Sequence, residues 1–387
     1  MTLSAWYLVP AIVLPPLLVN LRRWRLDLER VRTLQAAARH NIPSLDQLPD
    51  PAPRVSFLLP AWNEESTLQA CLEALFRLPY PDLEVVLCAG GSDRTWEVAS
   101  QCRDPRLILL EQRPGEGKQK SLRHCLKKAF GEIIYLLDAD CLITAAAFAR
   151  ILVPILNHNE QVVTGRLCMP LPEQLNIPFV VSQTAGRIYA GLYQPGYSSA
   201  LVGNNCALRR AALEQAGAFD NDVPTGTDGD LSKRLMRHGL RIRCDIEAFF
   251  PLKFHTQIRA YLRQQSRWLR NQMRHGLHYG AYRLALHSLC TSLVGLAMLV
   301  LPCLALLLAF QPGQPPLLVR LAFVLWALLL LHMLFSRLRF LHVARVWRNI
   351  RISWRNVALL PVFLLIDCLA WAIPLGQYPF KSLRERW

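Results

Sequence analysis

At 387 residues the chain is long enough for two to three domains, and 52% of it is hydrophobic. A mean hydropathy of +0.19 excludes an ordinary soluble enzyme. The 44 Lys and Arg against 28 Asp and Glu leave a net charge of +16. Without a nucleic-acid-binding module or a basic–aromatic ladder, that excess argues against nucleic acid and for anionic lipid and phosphorylated substrates.

The first apolar segment, Leu3–Leu21, is followed by Arg22, Arg23 and Arg25. A cleavable signal peptide carries its charge ahead of the apolar core and ends in small residues, so residues 1–21 read as a membrane anchor. A span needs ~20 apolar residues, and this run reaches that length. Pro10, Pro15 and Pro16 would kink it, which neighbouring helices tolerate. The Arg cluster places the next segment, a charged, partly helical connector over residues 22–52, in the cytosol.

Beyond Pro53 the pattern changes to short apolar runs punctuated by turns. Val55–Leu59 is a β-type run ending at Pro60, and Glu65–Leu78 repeats apolar residues at helical spacing. Leu83–Leu87 is a second strand, Trp96–Cys102 a helix, Leu107–Leu110 a strand and Ser121–Phe130 a helix. Ile133–Leu137 has no polar alternation and is a strand buried on both faces. This βαβαβ order predicts an α/β domain over residues 53–250, a parallel, doubly wound sheet with ligands at the C-terminal strand ends. Those ends carry Pro60-Ala61-Trp62-Asn63-Glu64-Glu65, Cys88-Ala89-Gly90-Gly91-Ser92-Asp93 and Asp138-Ala139-Asp140, while Gly117-Lys118 leads a helix. Acids, glycines and a lysine on one edge are what a nucleotide diphosphate requires. The 11 cysteines are scattered singly with no Cys-x-x-Cys, which predicts reduced, packed thiols rather than a zinc site or disulfides.

Residues 251–283 hold an Arg-rich interfacial helix, Ile258–Arg274, on which Gln264, Arg267 and Trp268 share a face at i, i+3 and i+4. Apolar runs at Leu284–Phe310, Leu317–Phe335 and Val357–Leu375 predict about three further helices within a C-terminal membrane region, residues 284–376. The uncharged turn Gln311–Pro316 fits an external hairpin, and Arg337, Arg339, Arg345, Arg348, Arg351 and Arg355 mark a cytosolic loop. Four spans then leave both ends outside, with Lys381, Arg384 and Arg386 of the tail (377–387) on the unfavoured side. Pro361, Asp367 and Pro374 keep a re-entrant reading of the last segment open. Asp367 at membrane depth marks either a pathway or a pairing between helices.

Five segments in order resemble the membrane-bound glycosyltransferases of family 2, which include hyaluronan, chitin and cellulose synthases and ceramide glucosyltransferase. They are Pro60–Glu64, Asp138-Ala139-Asp140, Gly203–Arg210 with Gly217-Ala218-Phe219, Thr227-Asp228 and Gln264-x-x-Arg267-Trp268. The resemblance implies a GT-A fold, Rossmann-like, with the catalytic domain cytosolic on a bacterial-type inner or plasma membrane. It further implies that Pro60 and Glu64 cradle the nucleotide, that Asp93 lies near base and ribose, and that Lys118 lies near the nucleotide. The structural alternatives are an exposed helix acid for Glu64, a plain tight turn for Gly90-Gly91 and an exposed helix-leading lysine for Lys118. The chain departs from the family at Cys88-Ala89, where an acidic pair is usual, and so has a weaker contact to the base. The segment containing Asn205 looks like the acceptor side of the sugar pocket.

Alternate residues leaving a strand can both bend towards one ion, and the hard oxygens of Asp138 and Asp140 suit Mg²⁺ or Mn²⁺ bound together with a diphosphate. An inverting transfer needs a carboxylate to take the acceptor hydroxyl's proton. Asp228 is the candidate base; Asp230, whose plainer role is to stabilise a helix N-terminus, is the runner-up. Thr227 stands where the family has Glu. Gln264 and Arg267 are expected to bind the donor's diphosphate and Trp268 to stack on an acceptor sugar, with an amphipathic anchor as the alternative. His255 is read as structural or as an extra metal ligand. The expected function is an inverting, metal-dependent glycosyltransferase that takes a nucleotide-sugar, UDP-linked, to a polysaccharide or lipid acceptor at the bilayer. A nucleotide-binding transporter or scaffold without transferase activity is the rival. The transferase reading requires these separated stretches to converge on one cation-filled cleft.

Overall fold

The computed structural model describes residues 8–309 and 317–377, apart from positions 41–42, 44, 46–48, 167, 195, 222 and 224. The expected hairpin Gln311–Pro316 and the basic tail lie outside the described residues. In chain order the elements begin with α1 (Leu8–His40), β1 (Val55–Trp62), α2 (Leu68–Phe76), β2 (Leu83–Gly90), α3 (Thr95–Gln101), β3 (Leu107–Glu111), α4 (Gly117–Lys128) and β4 (Ile133–Leu137). They continue with α5 (Ala145–Asn157), β5 (Val162–Gly165), β6 (Met169–Pro170), α6 (Pro178–Leu192), β7 (Tyr197–Ser198), β8 (Asn205–Arg209), α7 (Arg210–Gln215), α8 (Thr227–Arg237), β9 (Ile242–Asp245) and β10 (Pro251–Leu252). Five helices close the chain: α9 (Ile258–His278), α10 (Tyr282–Ala309), α11 (Leu317–Arg348), α12 (Trp354–Ala358) and α13 (Leu360–Gln377). Two compact units result, an α/β unit from Ala38–Pro172 and Tyr193–Lys253, and a helical unit that joins α1 and α6 to α9–α13.

The α/β unit is built on an eight-stranded sheet of order β3-β2-β1-β4-β8-β5-β9-β7. Strands β3, β2, β1 and β4 are parallel, as their continuous apolar runs predict for a sheet covered on both faces. Leu58, Val86, Ile134 and Leu136 from these strands join Leu122 and Cys125 of α4 in one buried cluster. The all-parallel expectation stops there, because β8 runs antiparallel to both β4 and β5. Its first residue, Asn205, therefore stands opposite the last residue of β4, Leu137. The loop entering β8 thus reaches the same sheet edge as the loops leaving β1, β2 and β4.

Among the described residues, three helices of the helical unit are long and apolar enough to cross a membrane: Tyr282–Leu308, Val319–Arg348 and Leu360–Gln377. The anchor proposed for Leu3–Leu21 is described only from Leu8, and its helix runs unbroken through the expected connector to His40. A second difference is that Arg337–Arg348, read as loop, is helix throughout α11. No Gly or Pro interrupts that stretch, and Arg is a good helix former.

A buried ion pair explains both extensions. The Arg339 guanidinium donates from Nε and a terminal nitrogen to Asp27 Oδ2 at 3.0 and 2.7 Å, and to Asn20 Oδ1 at 2.8 Å and Tyr189 Oη at 2.5 Å. Asp27 is 0% and Arg339 1% exposed, so α1, α6 and α11 meet at a charge pair cut off from solvent. Replacing Arg339 by Met takes the guanidinium from the buried Asp27 carboxylate, and a loss of about 3–5 kcal/mol is expected, read as a lower melting temperature of the purified protein. Asp367 of α13 is likewise paired, accepting from Tyr261 Oη at 2.5 Å and from Arg337. Pairing between helices, rather than an open pathway, is its role here. Close packing of α10 on α13 centres on Gly295, where a Cβ would come within 2.7 Å of the Cys368 carbonyl oxygen.

Candidate active site

The C-terminal edge of the parallel strands is where the motif residues gather. β1 pairs with β2 through Trp62 and Gly90, whereas its pairing with β4 ends at Leu58 and Leu136, so β4 releases Asp138 and Asp140 into the edge. The loops after β1 and β2 are tied together. Asn63, at φ 60°, accepts on Oδ1 from the Ser92 backbone N–H at 2.7 Å, and the Glu64 N–H donates to Thr95 Oγ1 at 2.7 Å. Asp93 accepts from the Thr95 N–H and hydroxyl at 3.0 and 2.6 Å, and from the Glu65 N–H at 3.2 Å. Burial opposes ionisation of Asp93, but these hydrogen bonds outweigh it and hold the carboxyl below its usual range. Asn63 and Thr95 were not singled out from sequence, and only the pairing of the two loops reveals them.

Gly91 lies at φ 141°, and a Cβ there would fall 2.2 Å from Asn63 Oδ1. Gly91→Ala is therefore expected to cost about 1–3 kcal/mol by thermal or urea melting, because it forces a left-handed backbone and breaks the tie between the loops. Cys88 and Ala89 are both fully buried, Cys88 in the core cluster beneath the edge, so neither replaces the missing acidic contact. Pro60 lies within β1, opposite Cys88.

Four carboxylates and a lysine set the electrostatics. Lys118, in the first turn of α4, donates to Asp138 Oδ1 at 2.5 Å. Burial alone would lower the Lys118 pKa, but Asp138, with Asp228 and Asp140 contributing, outweighs it and raises the pKa above the ordinary lysine value. Burial, then the charge of Asp138, pushes Asp140 up to about 6. Burial also raises Glu64 to about 7; Thr67, which donates to Glu64 Oε2 at 2.8 Å, pulls against it, while Asp140 and Asp138 add to it. Carboxylates crowded until they resist ionisation are relieved by a bound cation, and Asp138 and Asp140 are two hard oxygen donors leaving one strand end. Among the described residues no third His, Cys, Asp or Glu completes a cation cage. The two aspartates thus fit a metal that takes its remaining ligands from a diphosphate and water, as Mg²⁺ does.

The helix phase of α8 separates its two acids. Asp228 is exposed, packs its Cβ side against Gly203, and accepts on Oδ1 from the Gly229 N–H at 2.9 Å. Asp230 is 4% exposed and accepts from Arg234 Nε at 2.8 Å, while the Arg234 guanidinium also donates to the carbonyls of Ala216 and Ala218. Asp230 is therefore a strut between α8 and the loop after α7, not a rival base. Asn205 also differs from expectation. It is 2% exposed, accepts from Tyr135 Oη at 2.6 Å and donates to the Ala248 carbonyl at 2.7 Å, so both ends of its amide are engaged inside the protein. Its neighbour Asn204 has an unpartnered Oδ1 instead.

Gln264, Arg267 and Trp268 lie on α9 in the helical unit, as one face of a helix that runs four residues beyond the expected Arg274. Trp268 is 39% exposed, and Gln264 Oε1 has no hydrogen-bond partner. The His255 backbone carbonyl accepts from Gln183 Nε2 at 3.0 Å.

The comparisons with known proteins agree with this architecture. A family model described as "Glycosyltransferase like family 2" matches residues 52–271. "Probable glycosyltransferase YdaM" of Bacillus subtilis (strain 168) is 26% identical over 64% of this chain and 63% of its own length. "Poly-beta-1,6-N-acetyl-D-glucosamine synthase" of Staphylococcus epidermidis is 26% identical over 55% of this chain and 53% of its own. The chain thus spans between half and two-thirds of the length of these relatives. Among solved structures, the Pyrobaculum calidifontis mannosyltransferase PcManGT, in complex with GDP-Man and Mn²⁺, covers 97% of this chain and is itself covered to 99%, at 19% identity and a TM-score of 0.51. That likeness concerns the fold, which is GT-A followed by membrane-length helices. With the family model covering more than half of its length, the chain belongs to glycosyltransferase family 2.

Proposed function

We propose that the chain is an inverting, divalent-metal-dependent glycosyltransferase. It moves a hexosyl or hexosaminyl group from a nucleotide-sugar, UDP-linked, to a polysaccharide or lipid acceptor at the membrane. The observation that carries this reading is the meeting of Lys118, Asp138, Asp140 and Asp228 at one strand edge, within mutual electrostatic reach.

Asp138 and Asp140 would hold Mg²⁺ or Mn²⁺, which when bound supplies charge neutralisation to the donor's diphosphate. Lys118, kept protonated by Asp138, adds a second positive charge for the leaving nucleoside diphosphate. Asp228 accepts the acceptor hydroxyl's proton as that oxygen attacks the anomeric carbon, and the bond to the nucleoside diphosphate breaks on the opposite face. Glu64, Pro60 and Asp93 shape the nucleotide's side of the edge. Gln264 and Arg267 are assigned to the donor's phosphates and Trp268 to the acceptor sugar on side-chain chemistry and helical spacing.

Relatives support both kinds of acceptor: one is named for poly-β-1,6-N-acetyl-D-glucosamine synthesis and another, from Escherichia coli, for glucosyl transfer to α-D-GlcNAc-diphosphoundecaprenol. The Arg351 and Arg355 side of the helical unit is assigned to the cytosol, which places the donor site there on a bacterial-type inner or plasma membrane. The test is a screen of nucleotide-sugars against membranes containing the protein, with nucleoside diphosphate release as readout and product sizing as the second measurement. Release with one donor and an added sugar on the acceptor supports the reading. Nucleotide binding without release under every donor would favour a transporter or scaffold instead.

A further inference from the structure

In the helical unit two side-chain contacts link α6 to α9. The Phe179 and Tyr261 rings meet edge-on at 5.1 Å, and two turns further along both helices the Arg187 guanidinium lies 5.4 Å from the Trp268 ring. The same guanidinium sits 4.2 Å over Phe254. Between these contacts, one turn along each helix, come Gln183 and Gln264. Each has a buried side-chain carbonyl oxygen that accepts no hydrogen bond. Gln183 is 9% exposed, and its amide nitrogen is already fixed by donation to the His255 carbonyl, so the unpartnered oxygen is the free end.

Arg187 is equally unspent. Among the described residues no carboxylate lies within ion-pair distance of it; its partners are the two aromatic rings. Asp367, which like Arg187 acts on Tyr261, is already taken by Arg337 and Tyr261. A guanidinium stacked on rings keeps its in-plane N–H donors free, which is the arrangement that grips a phosphate. Orphaned buried oxygens cost stability unless a ligand supplies donors, and hydroxyl groups are such donors.

We propose that the strip between α6 and α9 is an acceptor subsite for a phosphorylated lipid, with Arg187 holding the phosphate and the Gln183 oxygen accepting from a hydroxyl of the attached group. This deepens, and rests on, the reading of the chain as a transferase acting at the membrane. It commits to an anionic acceptor over a neutral glycan.

The test uses the full chain in detergent micelles, with calorimetric binding of farnesyl phosphate, farnesol and inorganic phosphate. Farnesyl phosphate is expected to bind at least about 10-fold more tightly than either of the others. Arg187→Gln is expected to raise its Kd by about 10–100-fold, the worth of a charge-assisted hydrogen bond. Arg187→Lys should retain most of the affinity, and Gln183→Leu should matter only when the ligand carries a sugar. Equal binding of alcohol and phosphate by the unaltered protein overturns the subsite, as does an unchanged Kd in Arg187→Gln. Inorganic phosphate binding as tightly as farnesyl phosphate overturns the lipid assignment. If Arg187→Gln does not fold, the alcohol–phosphate comparison on the unaltered protein still decides. Nucleoside diphosphate release, measured separately, distinguishes the two levels: release without phosphate preference sinks only the subsite, and preference without release sinks only the transferase reading.

Discussion

Asp228→Asn is expected to lower turnover by about 10²–10⁴-fold while UDP and Mn²⁺ bind as before, because general-base catalysis supplies an acceleration of that order. The substitution preserves shape, and Oδ1 keeps its bond from the Gly229 N–H, so the first turn of α8 should not move. What disappears is the basic lone pair at an exposed position backed by Gly203. Its neighbour cannot stand in: Asp230 is buried and committed to Arg234. Single-turnover rates with saturating donor and acceptor, beside titration with UDP and Mn²⁺, separate loss of the chemical step from loss of binding. A variant that turns over within threefold of the parent would move the base elsewhere. One that loses UDP binding would make Asp228 a donor contact instead.

The second large effect is expected at Asp140. Asp140→Ala should weaken metal-dependent UDP binding by about 100-fold or more, since even outer-sphere partners of a metal ligand are worth 10–100-fold. The reasoning rests on charge. Burial, with the charge of Asp138 adding to it, raises the Asp140 pKa to about 6, and a divalent ion offsets both the burial and the repulsion. Removing one carboxylate leaves Asp138 alone with Lys118, a pair already neutral and with little left to offer a cation. Calorimetry with UDP, with and without Mn²⁺, should then give curves that coincide for Asp140→Ala and differ for the parent. Equal Mn²⁺ dependence in both would remove Asp140 from the ligand set.

Much of the α/β unit could be read directly, for a simple reason. Strands such as Ile133–Leu137 are covered on both faces, so their sequences are unbroken apolar runs, and the polar residues that end them mark the functional edge. Direction could not be read in the same way. β8, Asn-Cys-Ala-Leu-Arg, is short and comes after a long excursion, and nothing in five residues says that it enters from the opposite end. The roles of Asn205 and Asn204 depend on that entry, since β-strand neighbours face opposite sides. Helix phase divided Asp228 from Asp230 for the same kind of reason. On α11, the positive-inside rule makes a cluster of arginines a cytosolic loop. Arg339 instead has a carboxylate waiting for it on α1, a partner far away in sequence. Arg187 belongs to no motif, and its meaning comes from two rings contributed by separate segments.

That distant carboxylate has a bearing on biosynthesis. Asp27 and Arg339 are separated by 312 positions, and a ribosome adding about 5–20 residues per second needs roughly 15–60 s to travel between them. For that interval α1 carries an acid whose partner on α11 does not yet exist. It must wait at the water-facing boundary, or lean on a temporary helper, until the penultimate long helix emerges. α1 is thus made well before the guanidinium that faces it, and truncation anywhere before residue 339 would remove that contact.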